Sequence, residues 1–252
     1  MTTATMPAAK VVSHDEWTAA RNKFLTREKE FSRQRDELSR LRRELPWEKV
    51  EKKYVFEGSN GTETLADLFD GRGQLLVYHF MFGPGWKEGC PSCSFLADAF
   101  DAINPHMAQR DTSFVVVSRA TLTEIEAFKK RMGWKFKWVS SNGTDFNYDY
   151  KVSFSKEDAA SGKTLYNFGT IAAYGEEAPG ASAFIKKDGE VFHTYSTYAR
   201  GLDILLPMYN WLDLTAKGRD EAEMKPHAMA WVRHHDRYSD GKMVDIAKLA
   251  AK

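Results

Sequence analysis

The sequence predicts an α/β sandwich, and three observations carry that prediction. Residues 75–82 and 113–118 are apolar, aromatic or β-branched runs of the kind that form strands buried on both faces. After each strand comes a helical stripe: Phe95, Leu96, Ala99, Phe100 and Ile103 in one, stopped by Asn104-Pro105, and Leu122, Ile125, Ala127 and Phe128 in the other. Residues 183–185 and 191–195 then form a hairpin around Asp188-Gly189, and a last helical stretch follows over 201–214, kinked at Pro207 or started late there. Strands alternating with helices and closing in a hairpin and helix bury one sheet under helical layers.

Composition narrows the function. The 252 residues are 42% hydrophobic, enough for a sizeable core. Lys and Arg number 36 against 35 Asp and Glu, a net charge of +1, so no overall field favours nucleic acid or an anionic membrane. No apolar run approaches the ~18 to 20 residues of a membrane span. The first ten residues lack the apolar core of a signal peptide. Two Cys in a chain this long form no disulfide scaffold, which places the protein in the reducing cytoplasm.

Taken in order, the chain opens with Ser13-His-Asp-Glu16, a capping box. A helix is expected from there to Leu45, ended by Pro46. Trp17, Phe24, Phe31, Leu38 and Leu45 recur every seven residues on it, widened by Ala20 and Leu41. About 30 residues of helix span ~45 Å. This seam packs on the domain or a partner subunit, or zips against a second copy as a homodimer. The Arg-rich faces are interleaved with acids and read as solvated. Residues 53–57 form a short strand with a turn at 58–61, and 62–69 enter the core. The residues at 113–118 are a central strand, 121–132 a helix with Gly133 as its cap, and 136–139 a further strand. Residues 145–170 are irregular. The domains expected are a helical arm over 1–46, an α/β domain over 47–215, and a C-terminal extension over 216–252 that carries Trp231 and His234-His235 and ends in a short helix.

The chemistry gathers where the strand at 75–82 hands over to the helix starting near Pro91. Pro suits a first helical position, which leaves Cys90 at the helix N-terminus, facing free N–H groups and the positive end of the dipole. A thiolate is favoured there. Cys93 lies one turn on, within reach of a disulfide to Cys90. The expectation is an exposed, reactive Cys90 and a buried Cys93. Three alternatives stand beside it: a metal site completed by His79, His193, His234 or His235, a pair of inert buried thiols, and a binding protein whose aromatic cleft holds a small molecule.

The order hairpin, Leu65-Ala-Asp-Leu-Phe-Asp-Gly-Arg-Gly73, strand, Cys-x-x-Cys helix resembles thioredoxin-fold proteins of the peroxiredoxin and membrane-tethered thioredoxin-like type. The runs Tyr78-His-Phe-Met-Phe-Gly-Pro84, Gly89-Cys-Pro-Ser-Cys-Ser94, Val117-Ser-Arg119, Met132-Gly-Trp134, Asp145-Phe-Asn-Tyr148, Tyr195-Ser-Thr-Tyr-Ala-Arg-Gly201 and Met229-Ala-Trp-Val-Arg233 are more closely similar to a bacterial family of thioredoxin-like proteins. Its members are described as predicted dithiol-disulfide oxidoreductases. The resemblance implies a thioredoxin-like, peroxiredoxin-type mixed-sheet sandwich that acts on a disulfide-containing protein or small-molecule thiol, with no cofactor and no metal. Two features depart from the relatives. The cis-Pro that thioredoxins place before the hairpin strand falls near Ala181, with Pro179 two residues early. The hydroxyl that peroxiredoxins place three residues before the reactive Cys is replaced by Lys87, which counts against the further alternative that the resemblance offers, a peroxiredoxin-like peroxidase.

Further residues join the candidate site. Trp86 and Lys87 flank the motif as a lid and a cation, or as a packed ring and a solvated charge. Pro91 shapes the helix start. Arg119 follows a buried strand at the sheet end where α/β folds place ligands, and a structural ion pair is its rival role. Tyr195, Tyr198 and Arg200 cluster in Tyr-Ser-Thr-Tyr-Ala-Arg, as substrate contacts or as a hydrogen-bonded core edge. His79, mid-strand, reads as a core histidine.

Overall fold

A computed structural model describes residues 9–238. By internal packing the chain forms two compact units, Met1–Trp47 and Glu48–Lys252. In the first, α1 (His14–Arg42) starts at the expected capping box: Ser13 receives the Glu16 N–H, and the Glu16 carboxylate receives the Ser13 N–H at 3.0 Å. The helix ends at Arg42 rather than Leu45, because Arg43 to Leu45 turn through i→i+3 bonds ahead of Pro46. Trp17, Phe24, Phe31 and Leu38 are exposed along it.

The second unit is built on a mixed sheet. Its strands are β1 (Glu48–Lys49), β2 (Val55–Gly58), β3 (Gly61–Thr64), β4 (Gln74–His79), β5 (Thr112–Ser118) and β6 (Trp138–Ser140), then β9 (Gly180–Lys187) and β10 (Glu190–Tyr198). Between β6 and β9, β7 (Leu165–Tyr166) and β8 (Ile171–Ala172) form a separate two-stranded ribbon. The main order is β1-β10-β9-β4-β5-β6-β2-β3. β4 runs parallel to β5, and β5 to β6, while β9 pairs antiparallel to β4 and to β10. The connection from β4 to β5 carries α2 (Pro91–Ala97) and α3 (Phe100–Ala108), and that from β5 to β6 carries α4 (Leu122–Met132). α5 (Phe146–Asp149) and α6 (Lys156–Ser161) precede the ribbon, and α7 (Pro207–Leu212) follows β10. A parallel β-α-β unit flanked on β4 by an antiparallel hairpin is the thioredoxin-like arrangement.

Alternation along the central strands divides the core. Leu75 and Val77 of β4, with Val115 and Val117 of β5, pack with Phe69, Phe146 and Phe184. Tyr78 and Val116 point the other way, into a cluster with Leu96, Phe100, Phe128, Trp138 and both Cys. Among the described residues no helix is long and apolar enough to cross a membrane.

Several local expectations are corrected. Asn104-Pro105 does not stop a helix: Pro105 lies inside α3, and the break falls at Asp98–Ala99. Asp98 is drawn outward there, since its Oδ1 accepts from Trp134 Nε1 at 2.9 Å and bonds His235 Nδ1 at 2.7 Å. The strand near 136–139 starts two residues later and ends one later, as β6. Residues 145–170 are not wholly irregular, because they hold α5, α6 and β7. The helical stretch over 201–214 follows the second of its two readings, a late start: a 3-10 segment, Ala199–Leu205, precedes α7, which begins at Pro207. The Asp188-Gly189 hairpin turn is as read, both residues at positive φ (53° and 81°), but β9 starts at Gly180. Pro179 therefore stands immediately before the strand, and the one cis bond among the described residues is Lys225-Pro226. The short terminal helix expected near the end of the chain lies outside the described residues.

Candidate functional site

The loop after β4 is built to deliver Cys90. Phe80, Met81 and Phe82 continue buried past the strand end, and the Cys90 N–H returns to the Met81 carbonyl at 3.0 Å. Gly89 precedes it because nothing larger fits: a Cβ there would meet the Phe80 ring at 2.5 Å and the Phe128 ring at 2.8 Å. Cys90 is the N-cap residue of α2, at φ −57° and ψ 129°, and Pro91 is its first helical residue. The Cys90 carbonyl accepts the Ser94 N–H and hydroxyl, both at 2.9 Å, starting the helix.

The two thiols stand side by side without a disulfide between them and both are buried, each 2% exposed. This corrects the expected exposed Cys90: the helix N-terminus is itself packed into the aromatic cluster around Phe80, Phe100 and Phe128. Their acidities nevertheless separate. The Cys93 thiol, turned toward Cys90, lowers the Cys90 pKa most, helped by the backbone N–H groups of Ser92 and Cys93 and by the Ser92 hydroxyl, against burial. Cys93 is pushed well up by burial and then by the neighbouring Cys90. One Cys93 partner was not singled out in the sequence. The Tyr78 hydroxyl lies within hydrogen-bonding reach of the Cys93 sulfur, and the Met81 N–H points at the same sulfur at 3.5 Å. Tyr78 is buried, with its ring edge-on to Phe80 and Phe100. In the sequence it looks like one more apolar strand residue.

A second group missed in the sequence surrounds residues 88 and 89. The Glu88 carboxylate is buried and receives Arg131 at 2.6 Å and Arg237 at 2.8 Å. Arg131 also holds Asp236 at 2.8 Å. His234, fully buried, bonds the Gly89 carbonyl through Nε2 at 2.8 Å. His234-His235 was noted in the sequence only as a candidate ligand pair.

The other candidate residues spread out. Trp86 is half-buried over Gly83, whose Cβ would meet its Nε1 at 2.9 Å. Lys87 is exposed, and the groups that lower the Cys90 pKa belong to Ser92 and Cys93 instead. Arg119 pairs with the buried Glu177 at 2.6 Å and bonds the Tyr148 hydroxyl, so its guanidinium serves an ion pair. Tyr195 is half-buried on β10 opposite Ala183. Tyr198 is buried over Gly180 and donates to the Tyr150 carbonyl at 2.9 Å. Arg200 is 87% exposed and pairs with Asp203 at 2.8 Å. The four histidines do not converge on the thiols. His79 bonds Ser182 at 2.8 Å, His193 bonds Ser196 at 2.7 Å, His234 holds Gly89, and His235 pairs with Asp98. Among the described residues, no group of three or more Cys, His, Asp and Glu is arranged to hold a metal ion.

No curated protein matches the sequence. Among solved structures the chain is similar to a mutant of Xylella fastidiosa PrxQ, at 14% identity over 66% of this chain and 95% of that one, with a TM-score of 0.42. It is similar also to peroxidoxin BcpB from Mycobacterium tuberculosis, at 12% identity over 65% and 94%, TM-score 0.42. A mutant of Xanthomonas campestris peroxiredoxin Q gives 16% identity over 66% and 98%, TM-score 0.43. Identity this low transfers no activity from those proteins. The family profile described as "Bacterial protein of unknown function (DUF899)" matches residues 6–238, and the chain belongs to that bacterial family.

Proposed function

We propose that this protein is a dithiol–disulfide oxidoreductase that acts on a disulfide-containing protein or a small-molecule thiol in the reducing cytoplasm. The observation behind this reading is the opposite displacement of two adjacent thiols. Cys90 is lowered by the groups at the start of α2, and Cys93 is raised by burial and by Cys90. Such a pair divides the labour of exchange. The Cys90 thiolate attacks one sulfur of a substrate disulfide, the S–S bond breaks, and the displaced sulfur leaves as a thiolate that takes up a proton. Cys93 then loses its proton and attacks the Cys90 sulfur, releasing the second substrate sulfur as a thiol. Two electrons pass from the Cys pair to the substrate, which becomes two thiols while Cys90 and Cys93 become a disulfide.

The test is equilibration over a series of reduced-to-oxidised glutathione ratios, followed by alkylation and mass measurement. The expected result is one Cys90–Cys93 disulfide that forms and opens as a single two-electron couple. Thiols that stay reduced at every ratio, or that form only separate glutathione adducts, would end the proposal.

A further inference from the structure

We infer that His234 is a positioning residue for the reactive sulfur: it holds the Gly89–Cys90 peptide in the orientation that makes Cys90 the cap of α2. The inference rests on the reading of Cys90 as the attacking thiolate.

The partners of the imidazole assign its protons. A carbonyl oxygen only accepts, so the 2.8 Å contact with Gly89 requires an N–H at Nε2. Arg131 Nη2, which only donates, lies 3.3 Å from Nδ1, so Nδ1 carries the lone pair. His234 is therefore neutral, and burial lowers its pKa in keeping with that. Glu88 at 3.7 Å, Arg131, Arg237, Asp236 and the Phe128 ring edge are the groups that face it.

The Gly89–Cys90 peptide is thus bonded at both polar groups. Its carbonyl takes the His234 N–H, and its N–H goes to the Met81 carbonyl at 3.0 Å. Nothing in Gly89 itself would fix this orientation, because glycine tolerates most backbone angles and the packed Phe80 and Phe128 rings exclude any Cβ. The flanking Glu88 is anchored by Arg131 and Arg237, so residues 234–237 grip the loop at two successive residues. Without the His234 donor, a buried carbonyl is left unpaired, a state costly enough to turn the peptide. Turning it carries the Cys90 sulfur away from the N–H groups of Ser92 and Cys93.

The experiment follows alkylation of Cys90, mapped by peptide mass, against pH in the full chain. His234→Leu should raise the titration midpoint toward the ~8.5 of a free thiol and slow alkylation at pH 7 about tenfold. His234→Gln, whose amide N–H reaches near the place of Nε2, should restore the native midpoint. His235→Ala loses the neighbouring contact with Asp98 and should leave the midpoint native. A native midpoint in His234→Leu would overturn the inference. So would an equal shift in His235→Ala, since then only the stability of the segment would matter. If His234→Leu fails to fold, nitrogen NMR of the native imidazole decides: a proton on Nε2 supports the inference and a proton on Nδ1 overturns it. None of these readouts needs a disulfide substrate. A low native midpoint without any exchange ends the proposed function alone, and a native Cys90 that titrates like a free thiol ends both.

Discussion

Arg119 and Glu177 form an ion pair at 2.6 Å with the carboxylate almost wholly buried, joining the end of β5 to the approach to β9. The Ser153 hydroxyl donates to the other carboxylate oxygen at 2.7 Å. Burial outweighs both partners and pushes the Glu177 pKa up to about 7 from the ordinary 4.5. A carboxyl with a higher pKa folded than unfolded gains protons on folding. Its contribution to stability is therefore fully present below about 4.5 and is lost as pH rises through about 7. Unfolding midpoints measured across that window should fall with pH more steeply in the native chain than in Glu177→Gln. Parallel slopes would contradict the raised pKa.

The seam on α1 predicts an oligomer. Trp17, Phe24, Phe31 and Leu38 stand exposed at a strict seven-residue interval, the repeat that lets two helices pack along a common line. Light scattering on the full chain should give twice the 28.7 kDa of one chain, and deletion of residues 1–45 should leave the mass of a single shortened chain. A full chain already monomeric at micromolar concentration would remove the dimer.

What was legible in the sequence was local. Ser13 and Glu16, Gly133, and Asp188-Gly189 each announce a cap or turn through neighbours a few residues away, and each forms. Cys-Pro-Ser-Cys at the strand-to-helix junction is of the same kind. The features that were not legible depend on distant partners. The α2–α3 break at Asp98 is tied by Trp134 and His235, and Gly89 is held by His234, 145 residues away. Cys90 is buried as a member of the large core cluster that also holds Phe80, Phe100 and Phe128, which the periodicity of α2 alone does not reveal. Arg119 drew attention by its place at a sheet end and Arg200 by its polar, aromatic neighbours; Arg119 takes the ion pair that was its rival role, and Arg200 pairs with Asp203.

Hydrogen peroxide should react slowly. Fast reduction needs donors placed to meet charge developing on the O–O bond, and the arginines that could supply them are committed: Arg119 to Glu177 and Tyr148, Arg200 to Asp203 at the surface. Lys87 is exposed on the loop. The second-order rate for Cys90 is expected within about tenfold of a free cysteine thiolate at the same pH. A rate several orders of magnitude higher would make peroxide the substrate and displace the exchange reading.

Tyr78 should govern the second half of the exchange. Its pKa is raised well above the ordinary phenol by burial and by Cys93, so it stays protonated and acts toward the Cys93 sulfur as a donor. Together with the Met81 N–H it meets the negative charge on Cys93, both when that sulfur attacks Cys90 and when it leaves as the disulfide is reopened. Tyr78→Phe keeps the ring against Phe80 and Phe100 and removes only the donor. In a Cys90→Ser background, thiolate absorbance should show the Cys93 pKa rising by about one unit, the scale of a lost hydrogen bond to a charged group. Near neutral pH that shift cuts the thiolate fraction about tenfold, while the more basic sulfur recovers roughly threefold in nucleophilicity. The mixed disulfide on Cys90 should then persist about threefold longer in Tyr78→Phe, with the first attack by Cys90 unchanged. A Cys93 titration identical with and without the hydroxyl would show that Tyr78 is only a packed ring.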